Sequence, residues 1–132
     1  MAKKKTPLQK AKVKAEKDFK KWVKDRDNWT CQLCGQSKED GKVIQWSHFW
    51  PCGDWNVRFD PENVDAFCKG CHFEHEHKKQ GVYRDWKINQ LGREAYDTLE
   101  ERSKISVSHW IALEQAGEVV HGDRDYYYGI TK

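Results

Sequence analysis

The sequence predicts a small α+β domain in which a cross-link supplements a modest hydrophobic core. The chain has 132 residues, which fits one domain, and 37% of them are hydrophobic whereas 34% are charged. Stretches with helical spacing of apolar residues flank a central stretch that is rich in cysteine, valine and aromatic residues. A domain of this size with so few aliphatic residues usually needs a staple such as a disulfide or a metal ion.

The central stretch contains two Cys-x-x-Cys pairs, Cys31/Cys34 and Cys68/Cys71. Four thiolates complete the tetrahedral shell of Zn²⁺. The 33 residues between the pairs exceed the about 15–20 of a simple zinc ribbon, so the loop is large enough to carry further groups. The alternatives to a zinc site are that the four cysteines form disulfides or remain free thiols. The basic start of the chain lacks the apolar stretch of a secretory signal, so we expect a reducing, cytoplasmic location and a structural zinc site.

Residues 1–28 are predicted to form a basic arm and an amphipathic helix. Residues 1–30 carry 11 Lys/Arg and 4 Asp/Glu, a net charge of +7, in a chain whose net charge is +3. Residues 1–6 are expected to be disordered, and a helix is expected from Leu8 to Arg26. We expect the first half of this helix to project as a basic rod. It is either a phosphate-contacting arm or a solubilising tail.

Residues 29–80 are predicted to form the zinc-stapled core. Lys42–Trp50 is rich in β-branched and aromatic residues and predicts a strand, and Val57–Phe59 predicts a short return strand. A helix is expected from His72 to Lys79, with Gly81 breaking it.

Residues 81–132 are predicted to form a C-terminal helical region and a tail. Helices are expected at Tyr83–Leu91 and Arg93–Arg102, separated at Gly92, and from Ser106 or Ser108 to Gln115, with Gly117 as the stop. The tyrosine-rich tail that begins at Asp123 carries no clear pattern. Since the chain has no run of about 18 apolar residues, we expect no transmembrane helix.

The order of residues between and after the cysteine pairs resembles a known family. His48 and Asn63 lie between the pairs, and His72 follows the last cysteine. In this order the chain resembles the HNH (ββα-metal, His-Me finger) endonucleases. It is more closely similar to the phage NinG (Rap) recombination proteins, through these segments: Cys31-x-x-Cys34, Ser47-His48-Phe49, Arg58-Phe59-Asp60-Pro61-Glu62-Asn63, Cys68-x-x-Cys71-His72, Tyr83 and Leu91-Gly92-Arg93-Glu94-Ala95.

The resemblance implies a ββα-metal, treble-clef-like core and a metal-dependent DNA endonuclease. His48 matches the general base, His72 the ligand of a catalytic Mg²⁺ or Mn²⁺, and Asn63 the residue that fixes the loop beside the base. Helical spacing places His75 and Glu76 on the face of His72, either as further ligands or as an exposed charged face. The alternatives are a structural role for His48 and a zinc-ligand role for His72.

Two positions depart from these patterns. Ser47 stands where many HNH enzymes have an aspartate ligand, and His72 stands where the NinG pattern has asparagine. A site rich in histidine and glutamate favours Mn²⁺, Ni²⁺ or Zn²⁺ over Mg²⁺, because imidazole is a softer ligand than carboxylate.

DNA contacts are expected from basic side chains in the core and on the arm: Arg58, Lys78, Lys79, Lys20 and Lys21. The alternative for Arg58 is an ion pair with Asp60 or Glu62. The tryptophans that flank His48 are either core residues or stacking surfaces for an unpaired base: Trp46, Trp50 and Trp55. Cys52 has no partner in the pattern and is expected to be a plain thiol.

The NinG resemblance implies branched DNA, such as Holliday junctions or D-loops, as the substrate of a phage protein acting in the host cell. Paired incisions at a junction favour a homodimer. Two alternatives remain at this point: an HNH nickase of ordinary duplex DNA, and a zinc-dependent DNA-binding module without catalysis.

Overall fold

The computed structural model describes residues 4–51 and 55–123. Within these ranges it is a mixed α+β domain with five α-helices and a two-stranded sheet. Cys52 and the tail from residue 124 onward lie outside the described residues. The helices and strands are α1 Pro7–Arg26, β1 Ile44–His48, β2 Val64–Cys68, α2 Lys69–His77, α3 Gln80–Leu91, α4 Arg93–Ser103 and α5 His109–His121.

Helix α1 confirms the predicted N-terminal helix. Thr6 caps it: the Thr6 hydroxyl accepts a hydrogen bond from the Gln9 backbone, and the Gln9 side chain accepts one from the Thr6 N–H. Thr6 is therefore part of the helix start, and the predicted disorder does not extend to it. The helix ends where Asn28 and Trp29 take left-handed φ angles of 56° and 51°.

The first half of α1 packs against α5, so the prediction of a projecting basic rod was wrong. Ala11 and Ala15 of α1 face Ala116 and Val120 of α5 across one groove. Small side chains let the two helices approach closely, and the apolar strip of α5 needs cover because Ala112, Ala116 and Val119 lie in the core.

The strands β1 and β2 pair antiparallel, with Ile44 opposite Cys68 and His48 opposite Val64. The predicted return strand Val57–Phe59 was wrong, because these residues lie in turns. Val57 and Phe59 are both buried. Their apolar character indicated burial, which the sequence pattern could not distinguish from pairing in a sheet.

Helix boundaries after β2 differ from the predictions at two glycines. Gly81 lies in the first turn of α3 and does not end α2, which stops at His77. Gly117 lies inside α5, which ends at Gly122 in the left-handed conformation with φ of 97°. Gly92, with φ of 86°, separates α3 from α4 as predicted.

Aromatic rings and buried ion pairs hold these elements together. Phe19 of α1 contacts the rings of Trp22, Trp46 and Phe59 at centroid distances of 5.6, 6.1 and 5.4 Å. The fully buried Lys87 ammonium of α3 donates to the Asp65 carboxylate of β2 at 2.7 Å. The sheet is thereby fixed between α1 on one side and α3 on the other.

Candidate active site beside a four-cysteine centre

The four cysteines of the two predicted pairs come together at one point. The Sγ atoms of Cys31, Cys34, Cys68 and Cys71 all lie within 4.8 Å of one another, and those of Cys34 and Cys68 are 3.8 Å apart. A tetrahedral zinc ion with Zn–S bonds of about 2.3 Å holds its sulfurs about 3.8 Å apart. The four side chains therefore fit a structural metal such as zinc.

Local backbone geometry places each pair. The Gly35 N–H donates to the Cys31 carbonyl at 2.9 Å, and Gly35 takes a left-handed φ of 76° that closes this turn. Cys68 is the N-cap of α2, and Cys71 lies in its first turn. A metal at this point ties the segment after α1 to the junction between β2 and α2.

His48 is the last residue of β1, and its ring orientation is set by a backbone carbonyl. Its Nε2 lies 2.9 Å from the Arg58 carbonyl oxygen. Because a carbonyl only accepts, Nε2 carries the hydrogen and Nδ1 keeps a lone pair. The ring packs edge-on against Trp46 at 4.5 Å. Burial of the ring, with the nearby charge of Arg58, lowers the pKa of His48 to about 4, so the imidazole is neutral at physiological pH.

Asn63 holds the segment that follows His48. Its buried side chain accepts a hydrogen bond from the Trp50 N–H at 2.8 Å, and donates to the carbonyls of Trp50 and Val57 at 3.1 and 3.0 Å. The Asn63 backbone carbonyl accepts from the Phe49 N–H at 2.9 Å. All these bonds tie the chain beyond β1 to the start of β2, so Asn63 is placed to fix the position of His48.

His72 lies in α2 between two oxygen acceptors. Its Nδ1 is 2.7 Å from the Gln45 side-chain oxygen, and its Nε2 is 2.8 Å from a Glu76 carboxylate oxygen. A cation can replace the proton between Nε2 and the carboxylate, while Gln45 keeps the other nitrogen protonated. Gln45 belongs to β1, three residues before His48, and no motif in the sequence points to it.

His75 differs from Glu76 in its contacts. The His75 Nδ1 lies 3.0 Å from the Cys71 carbonyl oxygen, one turn back along α2. This bond leaves the lone pair on Nε2 of a ring that is only 9% exposed. Of the two candidate helpers, Glu76 is the one whose side chain meets His72.

One cavity of about 630 Å³ lies beside His48 and the two candidate helpers on α2. His48 of β1, Arg58 of the connecting loop, and His75 and Glu76 of α2 all line it. Among the described residues, the four cysteines are the one group of three or more potential metal ligands found close together. His72 and Glu76 offer two potential ligand atoms 2.8 Å apart, a small set of the kind that suits Mg²⁺-type ions, which keep several waters and bind substrate phosphates.

Comparison with known proteins finds a curated relative. A probable HNH endonuclease of Lactococcus phage SK1 is 31% identical over 72 residues, which are 50% of this chain and 69% of the phage protein. The chain belongs to the HNH endonuclease family. No family model and no solved structure matches this chain. No helix in the described part of the chain is long and apolar enough to cross a membrane.

Ser47 does not take the place of the carboxylate that many HNH proteins carry before the histidine. Its side chain is fully buried, and its hydroxyl lies 3.0 Å from the Tyr83 hydroxyl of α3. Burial raises the pKa of Tyr83, so this hydroxyl remains protonated. Asp65, opposite Ser47 in the sheet, is bound by Lys87 and Gln90, each at 2.7 Å. Both side chains act in packing β1 and β2 against α3.

Arg58 has a partner that the sequence did not predict. Its guanidinium binds the Glu16 carboxylate of α1, with Nε 2.9 Å from the carboxylate oxygen. The expected alternatives were wrong: Asp60 and Glu62 each bind Arg102 of α4 at 2.7 Å. Arg58 also lies over the Trp55 ring at 4.8 Å. Glu16 is 42 residues away in sequence, so no local pattern could have shown this pair.

The other basic residues predicted to bind DNA occupy two places. Lys20 lies over the Trp46 ring at 5.1 Å, next to His48, whereas Lys21 pairs with Asp25 at 2.6 Å. Lys79 pairs with Glu74 at 2.8 Å, and Lys78 lies over the Phe73 ring at 5.6 Å. Of the two arm lysines, Lys20 is therefore the one that lies over the tryptophan packed against His48.

Proposed function

We propose that this HNH chain is a metal-dependent DNA endonuclease in which β1, β2 and α2 form the ββα-metal core. The observation that carries the proposal is the cavity shared by His48, with its lone-pair nitrogen, and Glu76, which meets His72. The HNH relative from a phage supports the same reaction class.

The chemistry follows from the two sides of the cavity. His48 removes a proton from a water molecule through Nδ1, since Nε2 is held by the Arg58 carbonyl. His72 and Glu76 hold a divalent cation, which when bound stabilises charge on the scissile phosphate and the leaving oxygen. Asn63 and Gln45 position His48 and His72 respectively, so that the base and the residues that would hold the ion keep fixed places in the domain.

The substrate in this proposal is branched DNA, and the process is phage recombination. This part rests on the NinG-like segments around His48, Asn63 and His72. Arg58 and Lys20, both close to His48, supply phosphate contacts, and a homodimer makes the paired incisions at a junction.

A second function, DNA binding without catalysis, is favoured by one observation. The Ser47 hydroxyl is buried against Tyr83, so the position before His48 supplies no ligand to an ion. This module would keep the four-cysteine centre and the basic residues and would lack hydrolysis.

The test compares labelled four-way junction, D-loop and matched linear duplex DNA, each with Mg²⁺ or Mn²⁺. We expect cleavage of the branched substrates at a rate at least about tenfold above that of the duplex, a margin equivalent to about 1.4 kcal/mol. Equal cutting of all three substrates would identify a nickase of ordinary duplex DNA. Tight binding with no cutting in either ion would establish the non-catalytic module.

Replacement of Glu76 by glutamine is expected to weaken binding of Mn²⁺ at least about tenfold, because the carboxylate beside His72 is lost. Electron paramagnetic resonance of free Mn²⁺ measures this affinity without reference to cleavage. Glu74→Gln is the matched control on the same helix, where Glu74 pairs with Lys79. Equal loss in both variants would show a general charge effect and would exclude Glu76 as a ligand.

The low pKa of His48, about 4, predicts a pH dependence of stability. In the unfolded chain the pKa is about 6.5, so the unfolded state takes up a proton first as the pH falls. The neutral His48 ring therefore contributes about 3 kcal/mol to the free energy of unfolding. This contribution is complete above pH 6.5 and is lost as the pH falls from 6.5 to about 4.

Urea unfolding of wild type and His48→Gln from pH 7.5 to 5 measures this dependence. The other titrating groups contribute alike to both proteins, so the difference between the two isolates His48. We expect wild type to lose more stability than the variant as the pH falls. Parallel curves would contradict the buried, neutral state of His48.

A further inference from the structure

The cavity beside His48 has an aromatic wall that phosphodiester hydrolysis does not require. Phe49 and Trp50, directly after His48, line it together with Tyr83 of α3 and Tyr96 of α4. The Phe49 ring meets Trp50, Tyr83 and Tyr96 edge-on at 5.1, 5.1 and 5.7 Å. A phosphate is polar and charged and gains little from aromatic rings. The flat, apolar face of a nucleobase is the part of a nucleic acid that such rings contact.

Backbone hydrogen bonds and ring packing both hold the aromatic wall in place. The Asn63 amide binds both the N–H and the carbonyl of Trp50, which fixes the Trp50 backbone two residues from His48. Tyr83 and Tyr96, which also line the cavity, are 3% and 4% exposed, and both pack edge-on against Phe49. Phe49 and Trp50 are less buried than the two tyrosines, so their rings are the ones placed to contact a ligand in the cavity.

Positive charge borders the same cavity on two elements. Arg58 lines it from the loop between β1 and β2, where its guanidinium also binds Glu16, and Arg84 lines it from α3, where its side chain is exposed. Guanidinium groups bind phosphate oxygens in pairs of parallel hydrogen bonds. The cavity volume, about 630 Å³, lies within the roughly 300–1,000 Å³ typical of ligand pockets.

We propose that this cavity is a pocket for a single nucleobase that has left the helical stack, next to the phosphate that faces His48. The base stacks on the aromatic wall, and the phosphates on either side of it contact Arg58 and Arg84. This inference rests on the proposed nuclease function and deepens it. The substrate class becomes DNA with an unpaired nucleotide at the cleavage position, as at the edge of a D-loop or an open branch point.

The test measures binding by fluorescence anisotropy with zinc-loaded His48→Ala protein, so that the DNA stays intact. Three labelled duplexes are compared: fully paired, with one bulged thymidine, and with one bulged abasic nucleotide. The two bulges share a distorted backbone and differ only in the base. We expect the bulged thymidine to bind about tenfold more tightly than the abasic bulge. If the two bulged duplexes bind with equal affinity, the proposal of a base pocket is overturned.

Variants of Trp50 in the same His48→Ala background locate the effect. Trp50→Leu is expected to abolish the preference for the base, whereas Trp50→Phe keeps an aromatic ring and retains most of it. Trp110→Leu is the matched control, since Trp110 is 55% exposed on α5 and does not line the cavity. Circular dichroism and zinc content verify folding. A preference that survives Trp50→Leu in folded protein also overturns the proposal.

Wild-type cleavage of the same three DNAs separates this inference from the proposed function. If the protein prefers the bulged thymidine in binding but cleaves none of the three DNAs, the base pocket is supported and the proposed nuclease function is contradicted. If the protein cleaves these DNAs but shows no preference for the bulged thymidine, the nuclease function is supported and the base pocket is contradicted.

Discussion

Removal of metal from the four-cysteine centre is expected to unfold the domain. Structural zinc contributes about 10–16 kcal/mol at neutral pH, whereas small domains are stable by only about 5–15 kcal/mol. The four sulfurs join the segment after α1 to the junction of β2 and α2, so loss of the metal disconnects these two parts of the domain. Chelation should therefore abolish the cooperative thermal transition, which circular dichroism measures, and added Zn²⁺ should restore it.

Cys68→Ser tests the same centre by mutation. Cys68 caps α2 and its sulfur lies 3.8 Å from that of Cys34, so its loss removes one ligand from the tetrahedron. We expect native mass spectrometry to show a chain without zinc. Cys52→Ser is the matched control, because Cys52 belongs to neither Cys-x-x-Cys pair. A Cys68→Ser protein that keeps one zinc and its full thermal stability would contradict a structural metal at this point.

His48→Ala is expected to lower the cleavage rate about 10²- to 10⁴-fold, the range that a positioned general base contributes. The loss should appear in the rate at saturating DNA, while affinity for DNA changes little, because Arg58 and Lys20 remain. Single-turnover cleavage of labelled DNA with Mn²⁺ gives the rate, and anisotropy gives the affinity.

His121→Ala provides the matched control for this measurement. His121 is exposed near the end of α5 and does not line the cavity. We expect His121→Ala to cleave as wild type does. If His48→Ala cleaves at the wild-type rate with its zinc retained, then His48 is a structural histidine and the base lies elsewhere.

Local sequence was sufficient for several features of this molecule. The spacing of the cysteines predicted the cluster of four sulfurs, and the sequence pattern predicted α1 and α4 with each end within about one residue and the start of α3 within about three residues. These features depend on residues within a few positions of one another: Thr6 and Gln9 cap α1, and Gly92 separates two helices. Such interactions join residues that are close together in the sequence, so the sequence alone is enough to predict them.

Tertiary packing decided the rest. The pairing of Arg58 with Glu16, the contact of Gln45 with His72 and the packing of α1 on α5 join residues that are far apart in sequence. The choice of Glu76 over His75 as the neighbour of His72 also depended on the fold. Both share a helix face, but the His75 ring turns to the Cys71 carbonyl whereas Glu76 reaches the His72 ring. Sequence periodicity defines a face of a helix, and only the packed structure determines which side chain on that face meets its partner.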